Sequence, residues 1–124
     1  MTKMPLVLIV EDDNWQAEQY TRILGDAGIR AEVVPHALAA MDSVDAALPD
    51  AVVLDVLLAG PNAFTLLHEF RSHPDLAGIP VVLCTTIADQ LTEEDLKAYG
   101  VRMVLDKTTM KPGDLVAAIK KVLP

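Results

Sequence analysis

The run Ala51 to Asp55, AVVLD, constrains the fold of this chain more than any other stretch: four consecutive apolar residues, then a lone carboxylate, after the turn signal Pro49-Asp50. A short β-branched run of this kind reads as a central strand of a parallel sheet, buried on both faces. Asp55 then stands at its carboxyl end, the edge of an open α/β sheet where ligands and chemistry collect because the loops leaving the strands converge there. Two other runs end the same way. Leu6 to Val10 runs into Glu11, Asp12 and Asp13, and Val101 to Leu105 ends in Asp106 and Lys107. Carboxylates from two strand ends and a lysine from a third point to a site for a metal ion and a phosphoryl group.

In chain order, strand-like apolar runs alternate with amphipathic ones. After the first strand, Tyr20, Ile23, Leu24 and Ala27 recur at helical spacing, and Gly25 and Gly28 mark the end of that helix. Ala31 to Val34 forms a second strand, followed by an alanine-rich helix to about Ala47 that Pro49 closes. Beyond the central strand, Gly60-Pro61-Asn62 breaks the chain, and Phe64, Leu67, His68 and Phe70 begin a helix that fails by His73-Pro74. Ile79 to Cys84 is the fourth strand, with Pro80 tolerable near its start. Thr92-Glu93-Glu94-Asp95 is a capped, acid-rich first turn for a helix of about Leu91 to Tyr99 that Gly100 stops. Val101 to Leu105 is the fifth strand. The last helix, about Gly113 to Leu123, carries Leu115, Val116, Ile119, Val122 and Leu123 on one face.

Strict alternation implies an α/β architecture: a five-stranded parallel sheet with helices on both faces and right-handed crossovers, strand order 2-1-3-4-5. That order sets the first and third strands side by side, bringing Glu11 and Asp12 next to Asp55. Carboxylates so close repel one another unless a cation joins them. Mg²⁺ takes oxygen ligands and is commonly held by one or two carboxylates plus a phosphate oxygen, which suits this cluster.

With 124 residues, 52% of them hydrophobic, the chain has material for one core and reads as a single domain, 1–124. A net charge of −8 argues against direct nucleic-acid binding. The single cysteine, Cys84, lies in an apolar run and fits a reducing compartment. The N-terminal apolar segment is too short to span a bilayer and lacks the features of a secretion signal, so a cytoplasmic, non-membrane protein is expected.

LVLIVEDD at 6–13, AVVLDV at 51–56, IPVVLCTT at 79–86 and VLDK at 104–107 together resemble the receiver domain of two-component response regulators, over essentially the whole chain. The resemblance implies a CheY-like, flavodoxin-like doubly wound (βα)5 fold and a signalling domain rather than an enzyme proper. It makes Asp55 the acceptor of a phosphoryl group from a phosphohistidine. Glu11 and Asp12 match the acidic pair that holds Mg²⁺ (or Mn²⁺), Asp12 directly and Glu11 through water, and Leu57 would supply a backbone carbonyl. Thr85 matches the hydroxyl residue that moves to the phosphoryl oxygen, and Lys107 the lysine that pairs with it. Implied partners are a sensor histidine kinase or histidine phosphotransfer protein, and a downstream protein on the face of helix 4, strand 5 and helix 5. A homodimer is left open.

Several positions depart from the family pattern. The loop after the acceptor usually reads like L-P-G-x-D-G, whereas Leu58-Ala59-Gly60-Pro61-Asn62-Ala63 stands here. Val104 replaces the aromatic switch residue, and Thr108 replaces the proline that usually follows the lysine. Since a cis bond before a non-proline residue costs about 3 kcal/mol, that loop is either trans and reshaped or strained. Thr86 stands where alanine is common and obstructs water that would hydrolyse the phosphoryl group.

Of the remaining residues, Asp13 reads as the first helix's N-cap. Trp15 is expected to be partly packed, and His36, His68 and His73 show no ligand spacing. Two alternatives stand beside the receiver. One is a receiver-like adaptor acting independently of phosphorylation. The other is a haloacid-dehalogenase-like phosphatase, which needs an acid two residues after the nucleophile, where Leu57 stands.

Overall fold

The computed structural model describes residues 4–55, 63–86 and 92–123. The elements alternate throughout: β1 (Leu6–Val10), α1 (Asn14–Asp26), β2 (Arg30–Val34), α2 (Ala37–Ala46), β3 (Ala51–Leu54), α3 (Ala63–Ser72), β4 (Val81–Thr85), α4 (Glu93–Ala98), β5 (Val101–Asp106) and α5 (Pro112–Val122). All pairings are parallel, in the order β2-β1-β3-β4-β5. This is the doubly wound fold expected from the sequence. Among the described residues no helix is long and apolar enough to cross a membrane.

Successive side chains of a strand face opposite ways, so each central strand feeds two cores. Leu8, Val10, Val52, Leu54, Val81 and Leu83 pack with Ala40, Val44, Leu66, Leu67 and Phe70 of α2 and α3. Val7, Ile9, Ala51, Val53, Val82 and Cys84 pack with Tyr20, Leu24, Leu115, Ala118 and Ile119 of α1 and α5. Both faces of β3 are therefore buried, which explains why its sequence is continuously apolar rather than alternating. Cys84 is 1% exposed, and burial pushes its thiol up to about 12, so it behaves as a core residue.

Several expectations are corrected locally. Gly25 lies inside α1, and Gly28 alone, at φ +79°, takes the left-handed turn. There Gly28 N–H donates to the Gly25 carbonyl and Ile29 N–H to that of Leu24, which is how a glycine after a helix satisfies its last carbonyls. β4 starts at Val81, not Ile79, because Pro80 has no N–H for the ladder and serves only as acceptor for Val52 N–H. The buried face of α3 is Leu66, Leu67 and Phe70, leaving His68 exposed. Trp15 is 66% exposed rather than partly packed, because Ala17, Tyr20 and Leu24 define the buried stripe of α1 and Trp15 lies outside it. His36 caps α2, its Nδ1 accepting from Ala39 N–H at 3.1 Å.

At the outer strand the β4–β5 ladder slips by one residue: Val81 pairs with Val101 but Val82 with Met103, so Arg102 is the extra residue of a bulge. The slip lets Val101 pack with the α2/α3 side while Met103 and Leu105 pack with the α1/α5 side.

Candidate functional site

The alternation that builds the two cores also decides which polar residues meet at the strand ends. Glu11 continues the phase of Val7 and Ile9, Asp55 that of Ala51 and Val53, and Lys107 that of Met103 and Leu105. All three fall on the α1/α5 side. Thr85 keeps the phase of Val81 and Leu83 and is fully buried at the end of β4.

Backbone ladders extend past the strands to hold these positions. Glu11 N–H donates to the Val34 carbonyl at 3.0 Å, Asp55 N–H to that of Val10 at 3.4 Å, and Lys107 N–H to that of Thr85 at 2.9 Å. Asp13 caps α1 as expected, its Oδ1 accepting from Gln16 N–H at 3.1 Å. The helix therefore leaves the strand end directly beside the acidic pair.

Lys107 joins the side chains. Its Nζ donates to Asp55 Oδ2 at 2.8 Å and to Glu11 Oε1 and Oε2 at 3.1 and 3.3 Å. The Glu11, Asp55 and Lys107 side chains are 3%, 11% and 14% exposed, so these are shielded, charge-assisted contacts rather than surface pairs. Two buried carboxylates share one ammonium, which leaves the group net negative. Asp12 is exposed beside it, and among the described residues no three acidic, histidine or cysteine side chains are gathered as a ready-made ion cage. The donors are all carboxylate oxygens, the type that suits a hard divalent ion. Leu57 and the loop 58–62 lie outside the described residues.

Burial raises the Glu11 carboxyl above its ordinary value; the charge and hydrogen bond of Lys107 oppose the rise, and the charges of Asp55 and Asp12 add to it. Burial also pulls the Lys107 ammonium down, but the hydrogen bond and charge of Asp55, followed by those of Glu11, carry it above the usual lysine range. Folded Glu11 thus holds its proton more tightly than unfolded Glu11. Its contribution to stability is present below the ordinary value of 4.5 and lost as pH rises through the raised folded value. Glu11→Gln, a neutral isostere, is expected to melt at a higher temperature than the parent at pH 7, with the gap closing as pH falls toward 4.5. Melting curves across that range check it; a gap that stays constant with pH would overturn it.

The residue after Lys107 resolves the choice between a strained and a reshaped loop. No described peptide bond is cis, and Asp106 Oδ1 accepts from both Thr108 N–H at 2.8 Å and Thr108 Oγ1 at 2.6 Å. An aspartate side chain that bonds the backbone two residues on makes an Asx turn, and Asp106, with a hydroxyl at Thr108 to add a second bond, is the sequence cue that would have found it.

The family profile described as the response regulator receiver domain matches residues 7–120. A protein-glutamate methylesterase/protein-glutamine glutaminase from Anaeromyxobacter dehalogenans is 32% identical over 105 residues, covering 83% of this chain and 29% of that protein. Other curated relatives that match are about twice this chain's length, which spans 51% and 49% of them. Among solved structures, a putative response regulator from Chloroflexus aurantiacus superposes with a TM-score of 0.88 at 30% identity, over 97% of this chain and 98% of that one. The signal receiver domain of a signal transduction histidine kinase from Syntrophus aciditrophicus gives 0.83 at 29% identity, over 96% and 89%.

Proposed function

The chain belongs to the response regulator receiver family of two-component signalling, and from that premise we propose that it accepts a phosphoryl group from a phosphohistidine on Asp55 and signals through the protein contacts that change as a result. The observation that carries this reading is the Lys107 ammonium 2.8 Å from an Asp55 oxygen while it also holds Glu11. In the transfer a carboxylate oxygen of Asp55 attacks phosphorus, the new P–O bond forms as the P–N bond of the donor breaks, and the histidine nitrogen leaves with the bonding pair. The transition state is loose, with charge spread over the equatorial oxygens, so positioning and positive charge supply most of the catalysis. Lys107 supplies part of that charge from a position its own backbone fixes.

The reaction needs Mg²⁺ or Mn²⁺ in this reading. Asp12 would bind the ion directly, Glu11 through water, with Asp55 and the Leu57 carbonyl completing the protein's share. The residues fit such an ion, because two buried carboxylates share a single cation and the groups they offer a metal are carboxylate oxygens. Bound there, the ion would neutralise charge on the phosphoryl oxygens.

Thr85 would turn its hydroxyl to the phosphoryl oxygens from the end of β4, where its carbonyl accepts from Lys107 N–H and so keeps the two residues on neighbouring strand ends. No aromatic side chain in β5 can relay that movement. Val104 occupies the position and packs, with Leu96, Tyr99 and Val101, against the buried cluster on the α2/α3 side. The relay to α4 and β5 would therefore be a repacking of aliphatic contacts. A sensor histidine kinase or phosphotransfer protein is the donor that fits, in keeping with the kinase-borne receiver domain among the similar structures.

Trp15 lines a groove with Lys107, Met110 and Lys111, so its emission can report on the site. Titration with Mg²⁺ and then beryllofluoride is expected to change the emission in two steps. Silence in both, together with no phosphoryl uptake from acetyl phosphate, would turn the reading to a phosphorylation-independent adaptor.

The exposed Thr86, directly after the buried Thr85, screens the acyl phosphate from water in this reading. Thr86→Ala is expected to speed loss of the phosphoryl group several-fold, followed by intact mass over time. An unchanged half-life would remove Thr86 from the mechanism.

A further inference from the structure

We propose that Asp106 and Thr108 form the positioning pair for Lys107, a clamp across the lysine that sets the angle at which its side chain enters the site. The proposal rests on the reading of Asp55 as acceptor and extends it to residues outside the acidic cluster.

Lys107 is the first residue beyond β5, where the chain must leave the sheet and turn toward α5. A long flexible side chain leaving an unrestrained loop would reach the carboxylates only part of the time, because a lysine has many rotamers open to it. Here its backbone is held from both sides. On the sheet side, Lys107 N–H donates to the Thr85 carbonyl at 2.9 Å. On the other side, Asp106 Oδ1 reaches across the lysine to take both Thr108 N–H and the Thr108 hydroxyl. The Asp106 carbonyl takes Thr109 N–H at 3.1 Å and Met110 N–H at 2.9 Å.

The far end of the same turn touches α1, where Tyr20 Oη lies 4.0 Å from Met110 Sδ. Three consecutive peptide units are thereby tied to β4, to Asp106 and to the turn, leaving the lysine stem as the variable part. The carboxylate of the half-buried Asp106 is kept below the usual aspartate range by the Thr108 hydroxyl and then its N–H. It therefore remains an acceptor through the pH range in which the site works.

Four variants separate positioning from general structure. Asp106→Ala removes both bonds, whereas Asp106→Asn keeps the acceptor oxygen. Thr108→Val removes the hydroxyl bond alone, and Thr108→Ser restores a hydroxyl. Two readouts are taken on the full chain: the nitrogen–proton NMR signal of the Lys107 ammonium, and the rate of phosphoryl uptake from acetyl phosphate with Mg²⁺, split into its maximum and the donor concentration at half-maximum.

Asp106→Ala is expected to broaden or erase the ammonium signal and lower the maximum rate about tenfold, with the half-maximal concentration little changed, as loss of alignment does. Asp106→Asn and Thr108→Ser should match the parent, and Thr108→Val should fall between. A sharp ammonium signal at its parental position in Asp106→Ala would overturn the clamp whatever the rate does, and so would equal losses in Asp106→Asn and Asp106→Ala. If the parent takes up no phosphoryl group while Asp106→Ala still loses the ammonium signal, the clamp stands and the acceptor reading fails.

Discussion

Asp55→Asn is expected to take up no phosphoryl group from acetyl phosphate in the presence of Mg²⁺, a loss on the order of a thousandfold or more, because the nucleophilic oxygen pair becomes a neutral amide. Intact mass and lability to hydroxylamine check it. The other acids at the strand ends are poor substitutes for different reasons. Glu11 has both oxygens on Lys107 and is more deeply buried than Asp55, at 4% against 9% exposure. Asp12 is exposed, and among the described residues no cationic side chain pairs with it. Asp55 combines a fixed backbone, a cation on one oxygen and an opening to solvent. A hydroxylamine-sensitive phosphoryl group on Asp55→Asn would move the acceptor to one of those neighbours and remove the basis of the proposed mechanism.

Lys107→Met is expected to have the largest effect on the folded state. Methionine keeps most of the length and none of the charge, so Glu11 and Asp55 stay buried without their shared cation. Breaking a shielded ion pair by removing one partner costs about 3–5 kcal/mol, and denaturant unfolding at pH 7 should show a loss of that size. Acidification should recover much of it, because protonating either carboxyl removes the repulsion. In the parent the sign is the reverse at high pH. Lys107 titrates above its ordinary 10.5, so the stability it contributes is present below that value and lost as pH rises through the folded one. Phosphoryl uptake should fall on the order of a hundredfold, as when one preorganised donor is taken from a site of developing negative charge. Wild-type stability at pH 7 in Lys107→Met would mean that desolvating the ammonium offsets everything it gains from its partners.

Much of this was legible in the sequence because the parallel sheet writes itself as short apolar runs, each ending in a polar residue. AVVLD alone placed Asp55, and the alternation of runs implied the strand order that brings β1 against β3. Misreadings arose where residue type was weighed without phase. Trp15 is large and apolar, yet two positions before Ala17 it lies well off the stripe that Ala17, Tyr20 and Leu24 define. His68 likewise falls outside the face made by Leu66, Leu67 and Phe70. The Asp106–Thr108 turn stands in the chain as D-x-T, and its side-chain bonds do for the loop after Lys107 what the missing proline does not. Tertiary position decided the rest: how deeply Glu11 is shielded depends on every element around it.

The bulge at Arg102 insulates the site from the length of the strand that delivers its lysine. In a regular ladder, one surplus residue turns every later side chain to the opposite face. Here the surplus is absorbed at the entrance of β5, between the pairs Val81–Val101 and Val82–Met103, and the ladder then runs in step to Asp106. Losing Arg102 would straighten the entrance and leave Lys107 facing Glu11 and Asp55. Losing Val104, downstream of the slip, would deliver the ammonium to the wrong side of the sheet. Changes in strand length are thus tolerable at one end of β5 and ruinous at the other.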